Sequence, residues 1–134
     1  MFLGYSGGSI ETAEKVKDYL VAQGVKVLDW REFAPAGSII DRIREAAARC
    51  TGGIFLFTKD DRLRVGREVA PRDNVILEAG YFAAAKGKER TLIIRQKGAK
   101  MPADLGGDIY APLLDPDDIN PMTGYLDRFL LYCL

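Results

Sequence analysis

Hydrophobic and polar positions come in blocks along this chain, and the blocks switch repeatedly between strand and helix periods. Phe2 to Tyr5 is a short apolar run, broken by Ser6-Gly7-Gly8-Ser9. A helix follows, with Ser9 as its expected N-cap and Ile10, Ala13, Val16 and Leu20 as its apolar stripe. Gly24 stops it, and Val25 to Asp29 reads as a second strand. Trp30 to Gly37 is a loop holding Trp30, Phe33 and Pro35. Ser38 caps a second helix with Asp41 three residues on, and Ile39, Ile43, Ala46, Ala47 and Cys50 face inward. Gly53 to Thr58 is a continuous apolar strand of the kind covered on both faces. Lys59 to Val69 is a charged connection, read as a solvated loop.

The next stretch, Ala70 to Phe82, organises the rest. A polar opening of Arg72, Asp73 and Asn74 runs into a helix over about Asn74 to Lys86, ended by Gly87. Val75, Ile76, Leu77, Ala79, Phe82 and Ala83 leave it no obvious water-facing side, yet Glu78 sits in its middle. A charge buried without a partner costs several kcal/mol or changes its ionisation. Such an acid either has a task or pairs with a neighbour, here Arg72 or Lys86. Arg90 to Arg95 forms a fourth strand, Gly98 to Asp108 is irregular, and Ile109 to Leu113 is a fifth, edge strand that tolerates Pro112. Asn120 and Pro121 open a last helix lined by Met122, Tyr125, Leu126, Phe129, Leu130 and Cys133.

Strands alternating with helices, joined by right-handed crossovers, give a parallel sheet with helices on both faces. The expectation is a three-layer α/β fold of the flavodoxin-like kind, with a five-stranded parallel sheet in order 2-1-3-4-5. Ligands of such sheets bind at the carboxyl ends of the strands, near the switch point between strands 1 and 3. The loops that meet there are Ser6 to Ser9, Trp30 to Gly37 and Lys59 to Asp73, with Glu78 just below.

Composition narrows the chemistry. The 134 residues, 48% hydrophobic, make one domain with a sizeable core. Nineteen basic and nineteen acidic residues cancel, which speaks against direct nucleic-acid binding. No apolar run approaches the roughly 20 residues of a membrane span, and no signal peptide is evident, so the cytoplasm is the expected compartment. Cys50 and Cys133 read as buried free thiols. The chain has no histidine. That removes Ser-His-Asp and Cys-His chemistry and histidine-based metal sites together, so no metal is expected. Both ends of the chain read as trimmed, as in a domain taken from a longer protein.

Two motif matches fail on inspection. Gly4-Tyr5-Ser6-Gly7-Gly8 fits G-x-S-x-G, but a nucleophile elbow needs a histidine base. The same turn with Asp29 faintly echoes a dinucleotide fingerprint, but G-x-G-x-x-G is not there. What survives is a Gly/Ser turn before a helix N-terminus, either a phosphate cradle or a plain strand-helix turn. Trp30 and Phe33 either stack on a flat ring or close over the sheet edge.

Several blocks resemble a known family: FLGYSGGSIETAEKV, DWREFAPAGSIIDRI, FLFTKDD, APRDNVILEAGYFAAAKGKERT and KMPADLGG. In that order they are similar to prokaryotic TIR-like domains of the nucleotide-binding kind. Those domains occur as effectors fused to cyclic-nucleotide sensors, such as bacterial STING or SAVED domains, in anti-phage defence. The RDNVIxExG core followed by G-K-E-R is the most specific part. The resemblance implies cleavage of NAD+, as substrate and not cofactor, at the nicotinamide–ribose bond. It implies Glu78 as the catalytic carboxylate, and a site completed when domains assemble side by side under an attached sensor. Where many TIR domains carry tryptophan, four residues before the glutamate, this chain has Asn74. Its opening, Tyr5-Ser6-Gly7-Gly8, departs from the usual Ser-Ser-rich turn.

The reaction suits the inventory. Most glycosidases need two carboxylates because an alkoxide must leave protonated. Nicotinamide leaves NAD+ neutral, so one carboxylate that stabilises an oxocarbenium-like transition state can suffice. On this reading Trp30 and Phe33 flank a ring of the substrate. Ser6, Gly7, Gly8 and Ser9 approach the phosphates, and Arg72 with Asn74 shapes the ribose end. The competing expectation is a non-catalytic TIR module acting through homotypic contacts, in which the Glu78 carboxylate is dispensable. A flavodoxin-like nucleotide or flavin binder without hydrolysis is a third.

Overall fold

In a computed structural model the described residues are 1–32, 37–59, 70–99 and 110–133, excluding the side chains of 70–74. The strands are β1 (Phe2–Gly4), β2 (Leu28–Asp29), β3 (Gly53–Phe57), β4 (Thr91–Gln96) and β5 (Tyr110–Leu113). They form one parallel sheet in order β2-β1-β3-β4-β5, the expected topology. The helices are α1 (Ile10–Ala22), α2 (Ile39–Arg49), α3 (Ala70–Lys86) and α4 (Thr123–Cys133).

Alternation along the strands builds two cores. Leu3, Ile54, Leu56, Leu92 and Ile94 point to one face, where Ala13, Val16 and Leu20 of α1 and Leu126 and Phe129 of α4 cover them. Phe2, Phe55, Phe57 and Ile93 point to the other, beneath Ile43, Ala46 and Ala47 of α2 and Val75, Ala79 and Phe82 of α3. In this second core the rings of Phe2 and Phe82 stack at 5.1 Å, and Phe55 meets Phe82 edge-on at 5.3 Å. Phe55 fits because glycine stands at Gly4 and Gly53. A Cβ at either would fall 2.8 or 2.7 Å from its ring.

Several boundaries differ from the sequence reading. β2 spans two residues rather than five, because three-residue β1 pairs only Phe2 with Leu28 and Leu3 with Asp29. Helix α3 begins at Ala70, four residues earlier than expected. Proline is tolerated in a first turn, whose N–H groups have no helical partner anyway, so Pro71 does not delay the start. Nor is α3 apolar all round: Leu77 is 44% exposed, and Ala84 and Ala85 also face water. Gly87, at φ 93°, ends it as anticipated. Ser9 occupies the N-cap position of α1 without bonding the helix, and a 3-10 turn, Gly7–Ser9, precedes it. Arg90 belongs to a 3-10 turn before β4, and Asn120–Met122 forms another before α4. The Ser38–Asp41 capping box on α2 is present in full. Cys50 and Cys133 are buried and free.

Candidate functional site

The carboxyl ends of the strands gather the predicted loops. Tyr5, just past β1, donates its hydroxyl to Asp29 Oδ1 at 2.6 Å. The same oxygen accepts the backbone N–H of Arg31 at 2.9 Å. Lys17 reaches Asp29 Oδ2 at 3.5 Å and also pairs with Glu32. Burial, reinforced by the Asp29 carboxylate, pushes the Tyr5 hydroxyl far above its ordinary range. Asp29, the faint dinucleotide signal, therefore holds β1 and β2 together at their carboxyl ends.

Next in the chain, the buried Ser6 and Ser9 hydroxyls lie 3.3 Å apart, and Ser9 Oγ also bonds Thr58 Oγ1 at the end of β3. This buried chain of hydroxyls fixes the Gly/Ser turn to the central strand and takes up the Ser9 side chain that a cap would have used. Gly7 and Gly8 are left exposed and line a cavity of about 790 Å³. Thr12, Thr58, Lys59 and Gln96 also line it. Lys59 donates its backbone N–H to the Gln96 side chain at 2.8 Å, and Thr12 donates to the Pro116 carbonyl at 2.9 Å.

Glu78 does not line that cavity. It lies on the opposite face of the sheet, 2% exposed, on the buried side of α3 among the second core. Its Oε1 is buried without a hydrogen-bond partner among the described residues. Such an oxygen forfeits its hydration with nothing in return, about 1–3 kcal/mol. Burial pushes the Glu78 carboxyl up to about 8, against the opposing pull of the Arg42 guanidinium. Lys86, on the same helix, forms no ion pair with it.

Trp30, half-buried beyond β2, packs against both cores, and the Arg42 guanidinium of α2 lies over its ring, 4.1 Å from the centroid. At least one face of the indole is thus occupied by a cation. Phe33 lies outside the described residues, as do the side chains of Arg72 and Asn74. The structure adds two residues that the sequence reading passed over. Thr58 closes an otherwise apolar strand. Arg42 sits one turn after Ile39 and one turn before Ala46, a cation inside an apolar stripe. That irregularity was its signal. Among the described residues no group of carboxylates and thiols is placed to hold a metal ion, and no helix is long and apolar enough to cross a membrane.

Residues 1–115 match the family model described as "CAP12/Pycsar effector protein, TIR domain". The "CD-NTase-associated protein 12" of Flavobacterium daejeonense is 35% identical over 111 residues, 80% of this chain and 35% of that protein. The protein of that name from Lachnospiraceae bacterium (strain RUG226) is 28% identical over 137 residues, 97% of this chain and 43% of its own length. The "Pycsar effector protein BcPycTIR" of Burkholderia cepacia is 26% identical over 113 residues, 80% of this chain and 37% of that protein. The chain thus spans well under half the length of these relatives.

Proposed function

This chain belongs to the CAP12/Pycsar effector TIR-domain family, and we propose that it cleaves NAD+ between nicotinamide and ribose, with Glu78 as the catalytic carboxylate. The observation that carries the reading is a carboxyl group buried in an apolar core with one oxygen unpartnered. Groups left in that condition cluster at functional sites. The reaction breaks the bond from C1′ to the pyridinium nitrogen, whose electron pair leaves with neutral nicotinamide. Positive charge then spreads over C1′ and the ring oxygen of the ribose, where an ionised Glu78 would stabilise it. Water adds at C1′ and releases a proton, giving ADP-ribose. Alternatively a group of the substrate itself adds, giving a cyclic form.

In this reading the cationic pyridinium favours the charged form of Glu78 on binding, offsetting the burial that keeps the carboxyl neutral at neutral pH. The turn from Ser6 to Ser9 approaches the phosphates, through the exposed Gly7 and Gly8, since the Ser6 and Ser9 hydroxyls bond each other and Thr58. Trp30 and Phe33 flank a ring of the substrate, and Arg72 and Asn74 shape the ribose end. The near-complete burial of Glu78 supports a site that opens when copies of the domain assemble side by side. Its trigger would be an attached or associated cyclic-nucleotide sensor in anti-phage defence. The relatives' names, with their reference to CD-NTase association and to Pycsar, support that setting.

The test is nicotinamide release from NAD+, followed by chromatography with the sensor-activated protein, for the parent and for Glu78→Gln. Release lost in Glu78→Gln is the expected result. Release that survives refutes the role of Glu78. No release from the assembled, activated protein points to a scaffold that acts through TIR–TIR contacts alone.

A further inference from the structure

Two buried polar atoms of the described residues lack a hydrogen-bond partner, Oε1 of Glu78 and Nε of Arg42. They have opposite character, and they stand on neighbouring helices that pack on one face of the sheet. An acid and a base so placed would ordinarily close into an ion pair. Here they do not approach within 4 Å. The guanidinium is instead laid over the Trp30 ring, 4.1 Å from its centroid, with its Nε–H unspent.

We infer that Arg42 is a positioning residue of the site. Pinned to Trp30, it holds a fixed positive charge beside Glu78, keeps the carboxylate ionisable within its apolar surroundings, and stops short of the ion pair that would turn it away from a substrate. Among the described residues, the other elements packed on α3 offer no substitute. The described residues of β1 and β3 carry no charged side chain. Arg95 of β4 donates to the Ala99 carbonyl at 2.8 Å. Lys88, Glu89 and Arg90 lie in the exposed turn beyond the far end of the helix. On α2, Asp41, Arg44, Glu45 and Arg49 are exposed, and only Arg42 shares the inner stripe. Arg42 is also the one charged group that acts on the Glu78 carboxyl among the described residues.

The part Arg42 plays in catalysis rests on the NAD+ reading, whereas its hold on Glu78 does not, so two measurements separate them. The first is a 13C NMR titration of carboxyl-labelled glutamate in the whole chain, with the Glu78 signal assigned by its loss in Glu78→Gln. Arg42→Met is expected to raise the Glu78 midpoint by about one pH unit, the lower end of what a nearby opposite charge does. Arg42→Lys, which keeps a charge but loses the planar stack, is expected to fall between. A midpoint unmoved or lowered in folded Arg42→Met, or in Arg42→Lys should the first not fold, overturns the inference.

The second measurement is the pH profile of nicotinamide release. Arg42→Met is expected to lose about tenfold in kcat/KM on the acid limb, the equivalent of one pH unit, and to recover the parent rate on the alkaline plateau. Equal loss at every pH would mark Arg42 as merely structural and refute the inference. A protein that releases no nicotinamide at any pH refutes the NAD+ reading, and the carboxyl titration then decides the hold of Arg42 on Glu78 by itself.

Discussion

Glu78→Gln should make the fold more stable at alkaline pH, even though it removes the proposed catalytic group. The carboxyl has its ordinary value of 4.5 in the unfolded chain and about 8 in the folded one. Between those limits the folded state holds a proton that the unfolded state has released. Stability therefore falls as pH rises, by about 1.4 kcal/mol per pH unit. The contribution is fully present below pH 4.5 and is lost as pH passes about 8. Integrated over that interval the loss is about 5 kcal/mol, comparable with the whole stability of a small domain, about 5–15 kcal/mol. Glutamine fills the same space and does not titrate. The assay is urea unfolding of both proteins at intervals from pH 5 to 8.5. The stability of the parent relative to Glu78→Gln should decline throughout and level off above pH 8, with the slope of the urea dependence unchanged. Parallel curves, differing by less than about 1 kcal/mol across the range, would refute the reasoning. They would mean that Glu78 is hydrated or paired in solution.

Tyr5→Phe removes only the hydroxyl that bonds Asp29 at 2.6 Å. It should cost about 2 kcal/mol in urea unfolding, as a bond to a charged acceptor does, and a loss below about 0.5 kcal/mol would show the pairing to be incidental. Gly52→Ala should cost about 1–3 kcal/mol, because its Cβ would stand 2.5 Å from the Arg90 carbonyl oxygen. Gly80→Ala, on α3 with nothing within 4 Å of the added carbon, should instead raise the thermal midpoint through a helix propensity gain of about 0.5–1 kcal/mol. If the two alanines shift stability alike, local space is not what decides.

The topology was legible because each strand is a short apolar run between Gly, Ser or charged breaks, and helices α1, α2 and α4 each carry an apolar stripe at helical spacing. The end of α3 was legible in Gly87, and the start of α2 in Ser38 and Asp41. The beginning of α3 at Ala70 was not, since a proline and three polar residues suit a loop and a first turn equally well. Glu78 stood out in the sequence as an acid amid apolar residues, and its burial follows from that surrounding. The partner of Trp30 was hidden for a different reason. Whether an aromatic ring is free to stack depends on a residue of another helix, here Arg42, which the linear sequence sets twelve positions away. The hydroxyl chain from Ser6 through Ser9 to Thr58 was hidden in the same way, because it joins two strands that become neighbours only when the sheet forms.

The two cores also explain why the cavity and the acid are separate. The Gly7–Gly8 cavity opens beside the start of α1, whereas Glu78 lies on α3, on the α2–α3 face of the sheet. A ligand that meets both must pass from one face of the sheet to the other. A dinucleotide could, because its two halves are joined by a flexible diphosphate that can cross the carboxyl edge between β1 and β3, beside Gly7 and Gly8. The crossing point is anchored by Tyr5 to Asp29 on one side and by Ser9 to Thr58 on the other. If NAD+ is the substrate, as proposed, a well-anchored crossing would help hold its scissile bond in place while charge develops on it. On the NAD+ reading proposed above, the buried acid, which weakens the fold as pH rises, would have a use that offsets its cost.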